Sequence, residues 1–313
     1  MLRNRSIWLF FGILALIIIS SLFMIRLTSP PPPLKPRLNV TEGSSGKYYT
    51  IRDQKGRIIL QTGFPVNVGD IFINEQDLAF KVCSLRNWEG VAAPTRMPAA
   101  ESAWHVPAAL FNVPGKAVPP QASRIHVVMY HTHSDESYPK TDGTSSIPGN
   151  GTIFEVGSSM ADSLRNSGIS VTHSDNSHGP HDANAYYRSR RTLFKLLKER
   201  PDAAFDVHRD SAPSEAYLTL INGLPTARSM IVLGRQNPHM STNLAFAKRI
   251  KAQADDIYPG LLRGIFIGRG NYNQDLYPSA LLFEIGTDQA PRENAERGAR
   301  NLADVVAQVL KKR

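Results

Sequence analysis

Three short apolar runs each lead into side chains that can bind a metal ion or move a proton. The first leads into Tyr130-His131-Thr132-His133-Ser134-Asp135-Glu136, and the second ends in Phe205-Asp206-Val207-His208-Arg209-Asp210. The third holds Glu284 within Leu281-Leu282-Phe283-Glu284-Ile285-Gly286. Two neutral imidazoles plus one carboxylate make a catalytic zinc shell that leaves a fourth position for water. A further carboxylate beside that water can take its proton. Glu284 is the most informative residue of the set. A carboxylate inside an apolar strand costs several kcal/mol unless it is paired or lies near a cation. An ion pair with Arg263 or Arg209 would satisfy it as well as a metal would.

Taken singly, His131 or His208 reads as a hydrogen-bonded histidine at a strand end. Their joint appearance after two apolar strands is what points to a metal. His126, His173, His178, His181 and His239 carry less weight, because most fall in loops. Other chemistries lack their parts. His208-Arg209-Asp210 matches the kinase catalytic triplet by letters, but the Gly-rich loop, the strand lysine and the Asp-Phe-Gly sequence are missing. No Gly-x-Ser-x-Gly elbow is present for a serine hydrolase, and Gly268-Arg269-Gly270 is too short to argue phosphate binding.

The elements that must carry these residues alternate along the chain. Strands are expected near residues 125–130, 168–171, 203–207, 230–233 and 279–285. Helices are expected near 154–164, 185–199, 242–257 and 292–311. The last repeats Ala295, Ala299, Leu302, Val305, Val306, Val309 and Leu310 at helical spacing. This predicts an α/β fold in which a mostly parallel sheet is flanked by helices, with functional groups at the carboxyl ends of strands.

These motifs, in this order, resemble the stage II sporulation protein P family over about residues 125–309. The resemblance rests on Tyr130-His131-Thr132-His133, Glu136-Ser137-Tyr138, Val156-Gly157, Arg188-Ser189-Arg190 and Asp206-Val207-His208-Arg209-Asp210. It continues through Asn243-Leu244-Ala245-Phe246-Ala247, Tyr258-Pro259-Gly260-Leu261, Tyr272-Asn273-Gln274-Asp275-Leu276 and Glu284-Ile285-Gly286. It implies a fold like the N-acetylmuramoyl-L-alanine amidases and cleavage of the amide joining muramic acid to the first alanine of the peptidoglycan stem. Cutting of the stem cross-link is a further activity that the family suggests. It also implies a Zn2+ cofactor held by His131, His208 and Glu136, with Glu155 as the alternative third ligand. Glu284 is the implied catalytic base, Arg209 a stabiliser of the oxyanion, and Arg188, Arg190 and Arg263 candidates for the carboxylates of the stem peptide. The implied partners are a glycan-cleaving sporulation protein and a multi-span membrane anchor, at the membrane around the forespore. A non-catalytic wall-binding or complex-forming membrane protein is the competing class, and the metal and base residues argue against it.

The remaining regions set the location. Arg3 and Arg5 precede an uncharged run over residues 7–25, long enough for a transmembrane helix of about 20 residues. Residues 1–26 are therefore expected to form a cytoplasmic stub and membrane anchor, with the rest outside the cell membrane. Residues 27–37, with four consecutive prolines, read as a stiff polyproline linker. Residues 38–122 read as a small accessory region with a hairpin near 48–60, and 123–313 as the catalytic domain. The single cysteine, Cys83, excludes an internal disulfide. The net charge of +9 suits an acidic partner such as a wall polymer, and no basic stripe interleaved with aromatics argues for nucleic acid.

Overall fold

The computed structural model describes residues 46–100 and 125–312. The expected anchor over 1–26 and the linker over 27–37 lie outside the described residues. Among those described, no helix is long and apolar enough to cross a membrane.

In the N-terminal part lie β1 (Tyr49–Arg52), β2 (Ile58–Thr62), β3 (Ile71–Asn74), β4 (Ala79–Arg86) and β5 (Glu89–Pro94). The later strands are β6 (His126–Tyr130), β7 (Ser170–His173), β8 (Ala203–Asp210), β9 (Leu218–Ile221), β10 (Leu224–Ala227), β11 (Ser229–Gly234), β12 (Leu262–Gly268) and β13 (Ala280–Thr287). The longer helices are α1 (Ile153–Asn166), α2 (Ala185–Leu196), α3 (Met240–Ile257) and α4 (Arg292–Lys311). Among the described residues, eleven strands form one sheet in the order β2-β1-β5-β4-β3-β12-β11-β13-β8-β6-β7, and β9 and β10 form a separate hairpin.

Over residues 125–312 the sheet is mostly parallel, as expected: β7–β6, β6–β8, β8–β13 and β11–β12 run parallel and β11–β13 antiparallel. The N-terminal strands make the whole sheet mixed. The accessory region does not stand apart, because β3 pairs antiparallel with β12 and continues the sheet.

Strand alternation sorts the side chains. In β8, Phe205 and Val207 face the core shared with α1, α3 and α4, as do Phe283 and Ile285 in β13. Asp206, His208, Leu282 and Glu284 therefore point to the opposite face. There α2 contributes Leu193 and Leu196, and the N-terminal strands contribute Ile51, Leu60 and Phe72. The helices fit this plan through their own spacing: Ile153, Val156, Met160, Ala161 and Leu164 form the buried stripe of α1, which packs along α4.

Two joints tie the N-terminal strands to the rest. The Asp210 carboxylate at the end of β8 accepts the Thr62 hydroxyl at 2.6 Å, the Gly63 N–H at 2.7 Å and the Tyr217 hydroxyl at 2.8 Å. Gly264 on β12 has φ +145°, and a side chain there would collide with the Ile73 carbonyl oxygen and the Phe72 ring of β3. Gly264→Ala is therefore expected to lose about 2–4 kcal/mol of stability through strain and clash. Urea denaturation measures it, and a loss under about 0.5 kcal/mol would mean that the close approach of β3 is not required.

Candidate active site

His208 and Glu284 face each other across neighbouring parallel strands, as register partners in the β8–β13 ladder. Both are buried on the same sheet face. The turn after β6 brings His133 and Glu136 up to them. Glu136 Oε1 lies 3.5 Å from His133 Nδ1 and 3.5 Å from His208 Nδ1. One ligand atom from each of His133, Glu136 and His208 falls within 4.8 Å of the others.

The outer atoms of these residues are held so that the inner ones converge. Glu136 Oε2 accepts the Arg209 backbone N–H at 2.9 Å. His208 Nε2 lies 3.0 Å from Asp206 Oδ1. Asp206 in turn accepts the Thr132 backbone N–H at 2.8 Å and its hydroxyl at 2.6 Å. A carboxylate behind an imidazole fixes its tautomer and raises its strength as a ligand. Neither His208 ring nitrogen makes a hydrogen bond of regular geometry: Nε2 has only the close Asp206 carboxylate, and Nδ1 is buried facing Glu136, as a metal-ligating nitrogen would be. Two imidazole nitrogens and one carboxylate oxygen, open on one side to the cleft, fit zinc.

The electrostatics follow the same geometry. Burial opposes charge on the His208 ring, but the carboxylates of Asp206 and Glu136 outweigh it and hold the ring well above the usual histidine value. Burial pushes the Glu136 carboxyl up, and His208, His133 and Arg209 outweigh that and hold it well below the usual carboxylate range. The site opens into a narrow cleft lined by Glu136, Arg209, Glu284, His181, Gly63 and Phe64. Two of these residues belong to the N-terminal region.

The structure places His133, and not His131, beside Glu136 and His208, which corrects the expected ligand set. His131 continues the alternation of Val127 and Met129 and so faces α1, on the side of the sheet opposite His208. Its Nδ1–H donates to the Val207 carbonyl at 2.8 Å. Its Nε2 then accepts from His173 Nε2 at 2.7 Å. Helix α1 passes so closely that a Cβ on Gly157 would sit 2.6 Å from His131 Nε2. Burial and the neighbouring His173 pull the His131 ring down to about 3, and burial pulls His173 down to about 4, so both stay neutral near pH 7. Glu155, the alternative ligand, is also displaced: it lies on the exposed side of α1 and pairs with Arg292 at 2.9 Å.

The three arginines expected to bind substrate are engaged inside the fold. Arg188 holds the His178 and Pro180 carbonyls and the Asp182 carboxylate. Arg190 makes a two-point pair with Asp275 at 2.8 and 2.7 Å. Arg263 donates to the Gln61 carbonyl at 2.9 Å, lies over the Tyr217 ring, and has Asp210 as its nearest carboxylate at 3.9 Å. None of the three lines the cleft beside Glu136 and Glu284. Arg209 differs, since it lines the cleft while the Ser137 and Ser145 carbonyls hold its guanidinium.

Sequence reasoning missed His133, Asp206 and His181. The signals were the spacing His133-x-x-Glu136 and the alternation Asp206-x-His208, which puts both side chains on one strand face. His181, set aside as a loop residue, stacks on His133 with ring centroids 3.9 Å apart and lies 3.0 Å from Asp135 Oδ1.

The family model of stage II sporulation protein P matches residues 97–307. The chain belongs to that family. Stage II sporulation protein P of Bacillus subtilis (strain 168) is 29% identical over 202 residues, covering 58% of this chain and 50% of that protein. The chain thus spans about half the length of the curated relative it matches. Among solved structures it is similar to the N-acetylmuramoyl-L-alanine amidase of Clostridium difficile 630, with TM-score 0.40 and 14% identity over 60% of this chain and 96% of that one. It is also similar to the catalytic domain of the amidase CwlV from Bacillus (Paenibacillus) polymyxa var. colistinus, with TM-score 0.38 and 16% identity over 60% and 99%. The family match begins after β5, so the first five strands lie outside it.

Two outcomes are expected at this site. His133→Ala should weaken zinc binding by more than about 100-fold, whereas His131→Ala should keep the zinc stoichiometry and lower only the melting temperature. Elemental analysis and thermal melts of both variants separate the two histidines, and zinc loss from His131→Ala alone would reverse the assignment. Zinc must also displace the proton that His208 holds in the metal-free chain. Because that pKa is raised, affinity should climb about tenfold per pH unit between pH 6 and 7.5, with one proton released per ion. In the metal-free chain the sign is opposite: the stability from His208 protonation is complete below about pH 6.5 and is lost as pH rises through the raised value. Calorimetry in two buffers of different ionisation enthalpy measures the released proton, and a flat affinity would contradict it.

Proposed function

We propose that the chain is a zinc-dependent peptidoglycan hydrolase that cleaves the amide between N-acetylmuramic acid and the first L-alanine of the stem peptide. The observation that carries this reading is the convergence of His133, Glu136 and His208, with Glu136 and the buried Glu284 both lining one cleft. A zinc ion held by those three residues would supply Lewis acidity and bring a water's pKa toward neutrality. The rest is done by the chain itself. Glu284, a carboxylate on the cleft wall, takes the proton of the attacking water and returns it to the departing amine. Arg209 offers a fixed positive charge to the oxygen that gains charge in the transition state. Asp206 keeps the His208 ring in one tautomer, and the Arg209 N–H keeps one Glu136 oxygen turned outward.

Family membership and the amidase names of the similar structures support the choice of substrate. We further infer a role in cell-wall remodelling during sporulation, outside the cell membrane and tethered by residues 1–26. A glycan-cleaving enzyme and a multi-span membrane protein are the partners proposed for that setting.

Glu284→Gln is expected to bind zinc normally while turnover on purified sacculi falls by about 10²–10⁴-fold, the usual size of a general-base contribution. Mass spectrometry of the wild-type digest should show stem peptides with free L-alanine amino termini. Full activity in Glu284→Gln would remove the base from this residue, and fragments cut only at the cross-link would change the reaction assigned.

A further inference from the structure

Beyond the metal site, the two strands that carry His208 and Glu284 run on in parallel into a second, larger depression. From His208 the chain continues through Asp210 and Ser211 to Pro213, and from Glu284 through Thr287 and Asp288 to Gln289. This groove is lined by Ser211, Ser214, Glu215 and Gln289 together with Lys140 and Tyr48. Ser211 lines both the metal-site cleft and the groove, so the two adjoin.

Its floor is firmly built. The Asp288 N–H donates to the Asp210 carbonyl at 3.0 Å, and the Thr287 hydroxyl donates to the Ala212 carbonyl at 2.6 Å while accepting the Ala212 N–H at 3.0 Å. Ser211 Oγ donates to Asp288 Oδ2 at 3.2 Å. A floor cross-linked in this way is ready before a ligand arrives, which lowers the ordering cost of binding. The rim carries one cation, Lys140, one anion, Glu215, and the ring of Tyr48, none of them used by the chemistry described above.

Length and charge identify the occupant. Three residues of strand separate His208 from Ser211, a span of roughly 10 Å at about 3.3 Å per residue. An extended peptide whose first amide lay at the metal site would enter the groove at about its third residue and fill it with those that follow. Paired opposite charges on the rim suit a short peptide that carries both carboxylates and an amine. A neutral sugar chain would leave both charges unanswered.

We propose that this groove is the subsite for the stem peptide, and that Lys140 and Glu215 read its charges while Tyr48, from the N-terminal region, closes one side. The inference rests on the amidase reading and adds the direction in which the substrate lies. It assigns the peptide, and not the glycan, to the side of the metal site where β8 and β13 end.

The test compares the full chain with a Lys140→Glu, Glu215→Lys double variant on two substrates, a muramoyl pentapeptide and muramoyl-L-alanine amide. The ratio of kcat/KM for the long over the short substrate should fall about tenfold, mainly through KM, because only the long stem reaches the groove. A second arm is independent of turnover: calorimetry of a free stem pentapeptide against metal-free chain should show binding that the double variant loses. An unchanged ratio with unchanged pentapeptide affinity would overturn the assignment. So would loss of binding to peptide-free glycan strands, which would give the groove to the sugar. If wild-type chain cleaved neither substrate the amidase reading would fail instead, and the pentapeptide titration would still decide the groove.

Discussion

The pairing of β8 with β13 is the constraint on which the site depends. One parallel ladder sets His208 opposite Glu284, and the same alternation that buries Val207 and Phe283 against the helices turns both functional residues to the other face. A slip of one residue would send them into the apolar core. The ladder is held between β11 and β6, two further buried strands, so its register is fixed from both sides. Everything else in the centre is brought to this pair: His133 and Glu136 by the turn after β6, Asp206 from two residues earlier on β8, and Arg209 from the next position.

Much of this was legible in the chain. The order of strands and helices over residues 125–312 followed from apolar periodicity and Gly/Pro punctuation, and the carboxylate inside β13 marked itself by its cost. What could not be read was the facing of β6. Both faces of that strand are buried, so its apolar run does not show where it ends; His131 and His133 share strand parity, and only the turn that begins after Tyr130 separates them. The arginines misled for a related reason. Their charges suggest a ligand, but in the fold Arg188 pairs with the nearby Asp182, and Arg190 with Asp275, distant in sequence. β12 was missed because Arg263, Gly264 and Gly268 interrupt its apolar run, although the strand is buried throughout.

The residues behind His208 and Glu136 show how a buried polar cluster is kept in order. Thr132 orients Asp206, Asp206 orients His208, and the backbone of Arg209 orients Glu136. Each link is local, yet together they join two segments more than seventy residues apart. His131 and His173 form a parallel case beneath the sheet, where two neutral rings satisfy each other and a glycine lets α1 close over them. One histidine thus serves packing while its near neighbour is left for chemistry.

The joining of β3 to β12 has a consequence for the exposed edge of the sheet. Without residues 49–94, β12 would present a long, apolar, unpaired rim, the kind of surface along which sheets of separate molecules zip together. The N-terminal strands therefore act as a selvedge. They finish the cloth of the sheet, and the two ends of the polypeptide must meet before either is safe from self-association.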